Sequence, residues 1–188
     1  MRVIAGQYRR RKLRSLPGPE IRPTSDRLRE TLFNVLCGGD PAALADSTWL
    51  DFYAGSGTVG IEALSRGARM VHFVDSSAAA AEVIARNLES LGIAGDFRVM
   101  RTEAAKALRQ LETTGQVADF IFLDPPYSMK DEYTRTLAAL SQSNLLGERS
   151  MVIAEHEKKF DPGEAFGELR RYRKLLQGDA ALSFYRRS

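Results

Sequence analysis

The sequence predicts an α/β protein built on a mostly parallel sheet, with helices on both faces and an antiparallel pair at its end. Three observations carry this. From Trp49 onward, short apolar runs alternate with stretches of helical periodicity, the pattern of strand–helix–strand crossovers. The run Ala118-Asp119-Phe120-Ile121-Phe122-Leu123 is nearly all apolar, as a central strand buried on both faces requires. Residues 169–176 and 181–186 read as strands separated only by a short connection around Gly178-Asp179. Parallel strands need a long crossover, so this last pair is antiparallel.

Residues 2–7 and 11–16 are short extended candidates on either side of Tyr8–Arg10, a basic β-hairpin followed by the turn-rich Leu16-Pro17-Gly18-Pro19. Ser25 to Leu36 places Leu28, Leu32, Val35 and Leu36 at helical spacing, with Thr24 or Ser25 as N-cap and Gly38-Gly39-Asp40-Pro41 as the stop. Strands follow near 48–53, 70–74, 97–101, 118–123 and 150–154; with the C-terminal pair they make seven. Between them, Ala80, Val83, Ile84, Asn87, Leu88 and Leu91 form one helix face. Ala104, Ala107, Leu108 and Leu111 form a second, and Tyr133, Leu137 and Leu140 a third.

At 188 residues and 44% hydrophobic composition the chain suits one domain, with 1–23 as a basic N-terminal arm and 24–188 as the core. No run approaches the roughly 18 to 20 apolar residues of a membrane span, and the N-terminus lacks a secretory pattern, so the expected location is the cytoplasm. The single cysteine, Cys37, excludes an internal disulfide and reads as a small apolar residue at a helix end. His72 and His156 are too far apart to suggest a metal-ligand spacing, and both read as core or surface residues, so a metal-independent mechanism is expected.

The net charge of +3 is unevenly distributed: the first 29 residues carry +7 and the rest −4. The cluster Arg9, Arg10, Arg11, Lys12 and Arg14, with Arg22 beyond it, suits a phosphate backbone; it suits a solvated, weakly ordered tail equally well.

Asp51-Phe52-Tyr53-Ala54-Gly55-Ser56-Gly57-Thr58-Val59-Gly60 follows an apolar strand and opens a helix, so Gly55, Gly57 and Gly60 satisfy the G-x-G-x-x-G pattern in its required context. Twenty residues after Gly55 a second strand ends in Asp75, where a carboxylate accepts hydrogen bonds from both hydroxyls of an adenosine ribose. Asp75 also fits a helix N-cap. Glycines and acid together indicate an adenosine-containing cofactor, and a nicotinamide dinucleotide would need the same set.

The 118–123 strand delivers Asp124-Pro125-Pro126-Tyr127 at its C-terminal end, the edge where open α/β sheets bind ligands. Two prolines fix the backbone and remove two N–H donors, leaving carbonyl oxygens and the Asp124 carboxylate as outward acceptors for a donor group. Tyr127 can stack on a planar base.

Asp124–Tyr127 matches the D/N-P-P-Y/F motif of amino-directed nucleic-acid methyltransferases, and Asp51–Gly60 resembles their cofactor motif. Met1–Gly6, Arg22-Pro23-Thr24, Asp26-Arg27, Arg29-Glu30, Leu32-Phe33-Asn34, Ala54–Gly57, Glu62–Ala68 and Gly178-Asp179 with Leu182-Ser183 resemble the bacterial 16S ribosomal RNA guanine-N2 methyltransferases of the D type, over essentially the whole chain. The resemblance implies a class I methyltransferase (Rossmann-like) fold and methyl transfer from S-adenosylmethionine to a guanine N2 of 16S ribosomal RNA, in an assembled or assembling small subunit. A monomer is expected, and the resemblance puts Asp124, Pro125, Pro126 and Tyr127 at the acceptor. Asp51, Ala54, Gly55, Ser56, Gly57, Gly60, Asp75 and Glu103 would line the cofactor, with Thr24 in a segment closing over it. Glu103 stands where the family commonly has Asp, and it also fits an acidic first-turn residue of a helix. Glu30 pairs with Arg27 or organises the glycine loop. The competing activities are DNA adenine-N6 methylation, for which the chain has no room for a separate recognition region, a nicotinamide-dependent oxidoreductase, and a non-catalytic RNA-binding assembly factor.

Overall fold

A computed structural model describes residues 1–16 and 25–188. In chain order the elements are α1 (Asp26–Cys37), β1 (Thr48–Phe52), α2 (Thr58–Ser65), β2 (Met70–Asp75), α3 (Ala78–Leu91), β3 (Phe97–Arg101), α4 (Ala104–Glu112), β4 (Ala118–Leu123), α5 (Lys130–Ser141), β5 (Leu146–Glu157), β6 (Ala165–Phe166), β7 (Leu169–Gln177) and β8 (Ala180–Arg187). They form one eight-stranded sheet in the order β3-β2-β1-β4-β5-β8-β7-β6. Strands β1 to β5 are parallel, and β8 enters antiparallel between β5 and β7.

Seven strands were expected and the eighth is β6, a two-residue edge pairing Ala165 with Arg170 and Phe166 with Leu169. Two residues are too few for alternation to register. Strand β5 also starts earlier than expected, at Leu146, ahead of a register shift between Ala118 and Phe120 on β4.

The parallel strands alternate their apolar residues between two cores. On one face Trp49, Phe73, Phe122, Leu182 and Phe184 pack with Phe33, Leu28 and Leu32 of α1 and with α2 and α3; on the other Leu50, Phe52, Ile121, Leu123 and Tyr185 pack with α4 and α5. The Trp49 ring lies between Phe33, at 5.4 Å, and Phe120, at 4.8 Å. Helix α1 is capped by the Ser25 side chain, which accepts from the Leu28 N–H, and ends on left-handed Gly38. Of the two expected N-caps, Thr24 lies outside the described residues.

The N-terminal segment is not a solvated tail. Val3 and Leu13 are buried in the first core, and antiparallel bonds join Val3 N–H to Arg11 O, Arg10 N–H to Val3 O and Leu13 N–H to Met1 O. The extended runs are shorter than expected, with a bridge only at Arg2–Lys12 and turns through residues 5–10. The reason is α2, which captures the intervening backbone. Glu62, fully buried, accepts from the N–H groups of Ile4 (2.8 Å) and Ala5 (2.9 Å), while Ser65 O accepts from Gln7 N–H. Gly6 passes so near that a Cβ there would lie 1.8 Å from Ser65 O. The Glu62 carboxylate is met by Arg66 at 2.8 Å and Arg29 at 3.9 Å, and Arg29 also donates to Arg2 O and to Asp26.

Candidate active site

The sheet order reverses direction between β1 and β4, and in open α/β sheets the crevice beyond the C-terminal ends at such a point receives the ligand. Three carboxylates come to this edge from three strands: Asp51 of β1, Asp75 ending β2 and Asp124 following β4. Asp51 is 2% exposed, and one of its oxygens accepts the Gly60 N–H at 2.9 Å. Burial pushes its pKa well above the usual carboxylate range, against that hydrogen bond, and the carboxylates of Asp124 and Asp75 push the same way as burial.

Asp75 holds the glycine loop directly. Its Oδ2 accepts the Gly55 N–H at 2.9 Å, and its Oδ1 accepts the Ser77 N–H at 2.8 Å. The N-cap of α3 is Ser77, whose hydroxyl accepts from Ala80 N–H, so Asp75 precedes the cap. Each Asp75 oxygen keeps a further acceptor lone pair. Gly57 starts α2 in the left-handed region at φ 76°, and a Cβ on Gly60 would stand 2.3 Å from the Phe73 ring, so helix and sheet meet there only through glycine. The Ala54 N–H is fixed to Val74 O, and the Ser56 carbonyl accepts from the Asn87 amide at 3.0 Å. Glu103 is exposed at the N-cap position of α4, on the same edge, and makes no side-chain cap bond.

The segment after β4 is less open than its two prolines imply. The Pro125 carbonyl accepts the Tyr133 hydroxyl at 3.2 Å, and the Pro126 carbonyl accepts the Met129 N–H at 2.7 Å. Each carbonyl therefore has one lone pair engaged by the protein and keeps a second as acceptor capacity. Asp124 and Tyr127 are half-buried at this edge.

Several residues that sequence reasoning missed support the site. Tyr53 occupies the left-handed region at φ 60°, a conformation costing a non-glycine residue roughly 1–2 kcal/mol. Its hydroxyl donates to Glu132 at 2.9 Å and lies 3.0 Å from the Thr136 hydroxyl, tying the glycine loop to α5. Asn87 bonds both ways to Arg14, through the Arg14 N–H and carbonyl, as well as to Ser56. The one available signal was a polar residue on an otherwise apolar helix face. His156 is buried and bonds the Ser183 hydroxyl and Glu157 carbonyl; burial lowers its pKa, as it lowers that of His72 on β2.

Arg9, Arg10, Arg11, Lys12 and Arg14 are exposed on the docked arm, and Arg11 donates to Ser90 O at 2.5 Å. Arg22 and Thr24 lie outside the described residues. Glu30 is exposed, and the ion pair on its helix joins Arg29 to Asp26. Among the described residues no group of three or more His, Cys, Asp or Glu residues could hold a metal ion, and no helix is long and apolar enough to cross a membrane.

A family model described as conserved hypothetical protein 95 matches residues 1–186, arm and sheet together. The chain belongs to that family. Relatives of this member of the conserved hypothetical protein 95 family include the putative rRNA methyltransferase YlbH of Bacillus subtilis, 33% identical over 100% of this chain and 99% of that protein. Ribosomal RNA small subunit methyltransferase D of Escherichia coli is 33% identical over 100% of this chain and 90% of its own length. The solved structure of the putative methyltransferase yhhF from Escherichia coli superposes with a TM-score of 0.78 at 33% identity, covering 100% of this chain and 98% of that one. The fold of this conserved hypothetical protein 95 family member is that of the class I methyltransferases.

Proposed function

We propose that the protein methylates small-subunit ribosomal RNA with S-adenosylmethionine as donor, and that the acceptor is the exocyclic N2 of a guanine in 16S ribosomal RNA. The observation that carries this is the juxtaposition, across the β1/β4 switch point, of the Asp75-held glycine loop and the Asp124-Pro125-Pro126-Tyr127 segment. The methyltransferase relatives lend it support.

The residues fit the donor. The Asp75 carboxylate, already orienting Gly55, has acceptor capacity for the two ribose hydroxyls, and the loop from Ala54 to Gly57 presents backbone without bulky side chains. S-adenosylmethionine supplies an already activated sulfonium methyl, so the protein's task is to place the acceptor nitrogen in line with it. Asp124 accepts an N–H of the amine, with the remaining lone pair of Pro125 O as second acceptor. This orients the group and concentrates electron density on nitrogen. With the donor bound, the methyl's bond to sulfur would break as its bond to nitrogen formed, leaving a neutral thioether, and the Asp124 carboxylate would stabilise the positive charge passed to the nitrogen. The excess proton then leaves through Asp124 or to water. Tyr127 stacks on the extruded base, and the arm's exposed arginines meet phosphates, which position the RNA without reading its sequence.

The test is methyl transfer from labelled cofactor onto unmodified small subunits, naked ribosomal RNA and DNA in parallel, with the product nucleoside identified by mass. N2-methylguanosine in small-subunit RNA is the expected result. N6-methyladenine in DNA would replace the substrate assignment, and binding without transfer would make the chain an assembly factor.

A further inference from the structure

Strands β7 and β8 carry six basic residues, Arg170, Arg171, Arg173, Lys174, Arg186 and Arg187, and the sheet register sorts them onto two faces. Arg171 lies opposite Tyr185, Lys174 opposite Ser183, and Arg187 two residues beyond Tyr185, so all three share the face packed by α4 and α5. Each is neutralised there. Arg171 meets Asp161 at 2.6 Å and Glu164 at 3.2 Å, Lys174 meets Asp161 at 2.9 Å, and Arg187 meets Glu168 at 3.6 Å while donating to the carbonyls of Leu146 and Ser143.

The opposite face differs. Arg170 and Arg186 face each other across the ladder, and Arg173 lies opposite Phe184. The register shift between Arg171 and Arg173 is a bulge, which brings Tyr172 onto the same face as Arg173. The Tyr172 ring packs 6.3 Å from Phe184, and the Arg186 guanidinium stacks over it at 4.6 Å. Tyr172 is 47% exposed, and all three arginines are exposed. Among the described residues none of the three forms an ion pair with a carboxylate; Arg170 donates to the carbonyls of Gly167 and Leu169.

We propose that Arg170, Tyr172, Arg173 and Arg186 form a second RNA-binding surface that grips backbone phosphates away from the methyl-transfer edge. Uncompensated guanidinium forks match phosphate oxygens bidentately, and stacking on Tyr172 orients the Arg186 fork in advance. Arg186 lies four residues along β8 from Leu182, which is opposite Glu155 near the level of Asp124, and β8 is two strands from β4. Strand rise and spacing then put the patch roughly 15–20 Å from the acceptor site. It therefore grips RNA other than the target nucleotide. The inference rests on the ribosomal RNA substrate proposed above.

The experiment is a salt titration of binding to unmodified small subunits and to deproteinised small-subunit RNA. It compares the wild type, the open-face double variant Arg173→Gln/Arg186→Gln and the paired-face double variant Arg171→Gln/Lys174→Gln, with thermal midpoints confirming that each folds. The open-face variant should bind both substrates several-fold more weakly, its log–log salt slope shallower by about 0.7–0.9 for each phosphate it no longer neutralises. Its cofactor affinity and its methylation at saturating RNA should be unchanged, and the paired-face variant should keep the wild-type slope. Equal slopes for wild type and the open-face variant overturn the proposal, as do equal losses in both variants, which would reflect overall charge. Weakened binding to particles but not to free RNA would assign the patch to a ribosomal protein. A wild type that methylates no RNA fails at the earlier reading instead, and the patch assignment falls with it.

Discussion

The hydroxyl of Tyr133, a side chain only 1% exposed, donates to the carbonyl of Pro125 at 3.2 Å and so holds the acceptor segment from beneath. Burial raises the Tyr133 pKa, with Asp124 nearby acting the same way, so the phenol stays protonated and keeps its donor. Tyr133→Phe preserves the ring and removes only that bond. Stability should fall by about 0.5–1.5 kcal/mol. Turnover should drop several-fold with cofactor affinity unchanged, as read by denaturant melts, single-turnover kinetics and calorimetry. Unaltered turnover would mean that the proline rings alone fix the carbonyl.

Asp75 and Asp124 should separate binding from chemistry. Asp75→Ala weakens cofactor binding by about 1.5–3 kcal/mol, the range for removing hydrogen bonds to a charged group. Asp124→Ala abolishes turnover and leaves that affinity nearly intact. Calorimetry on both variants beside a methyl-transfer assay decides, and a reversed pattern would exchange the roles.

Glu62 anchors the arm through two backbone N–H groups while paired to Arg66 and Arg29. Arg29 keeps Asp26 as a partner at 2.9 Å, so the main loss in Glu62→Ala is the acceptor of the Ile4 and Ala5 N–H groups, which should cost about 1–3 kcal/mol. Hydrogen exchange should accelerate first at Ile4 and Ala5. Protection equal to wild type at those amides would show the arm to be held by Val3 and Leu13 alone.

The raised pKa of Asp51 makes a prediction about pH. The folded protein keeps this proton to higher pH than the unfolded chain, so above the ordinary carboxylate range the native state binds more protons. The Asp51 contribution to stability therefore falls as pH rises toward the folded pKa. Asp51→Asn retains an acceptor for the Gly60 N–H and cannot ionise. It should raise the thermal midpoint at neutral pH and flatten its decline between mildly acidic and neutral buffer, by parallel melts. A pH profile unchanged from wild type would show that Asp51 does not titrate there.

For the arm, neutralising Arg9, Arg10, Arg11, Lys12 and Arg14 together should weaken binding to small subunits. The log–log salt slope should change by about 0.7–0.9 for each phosphate the arm no longer holds, while cofactor affinity and the modified nucleotide stay the same. Binding of wild-type strength and slope would make the arm's role purely structural.

Five parallel strands and a closing antiparallel pair were legible because their patterns are periodic, and Gly55, Gly57, Gly60 and Asp75 because their spacing is fixed by local geometry. The docking of the arm was not legible: it depends on Glu62 and Ser65, which lie 57 to 60 residues away in sequence and read as ordinary polar positions of a helix. The engagement of the Pro125 carbonyl depends likewise on Tyr133, whose helical spacing marks it as core and says nothing of its hydroxyl. In the Arg170–Lys174 run the sequence shows a charge cluster, but only the bulge at Tyr172 determines which arginines share a face.

The placement of β8 between β5 and β7 has a consequence for biogenesis. β7 precedes in the chain the neighbour on which its ladder depends, apart from the two-residue pairing with β6. During vectorial synthesis β5 shows an unpaired edge and β7 waits undocked until Ala180–Arg187 has emerged and threaded between them. A truncation just before Ala180 would thus remove an interior strand of the sheet, leaving two exposed edges prone to intermolecular pairing, although all three carboxylates of the candidate site lie far upstream.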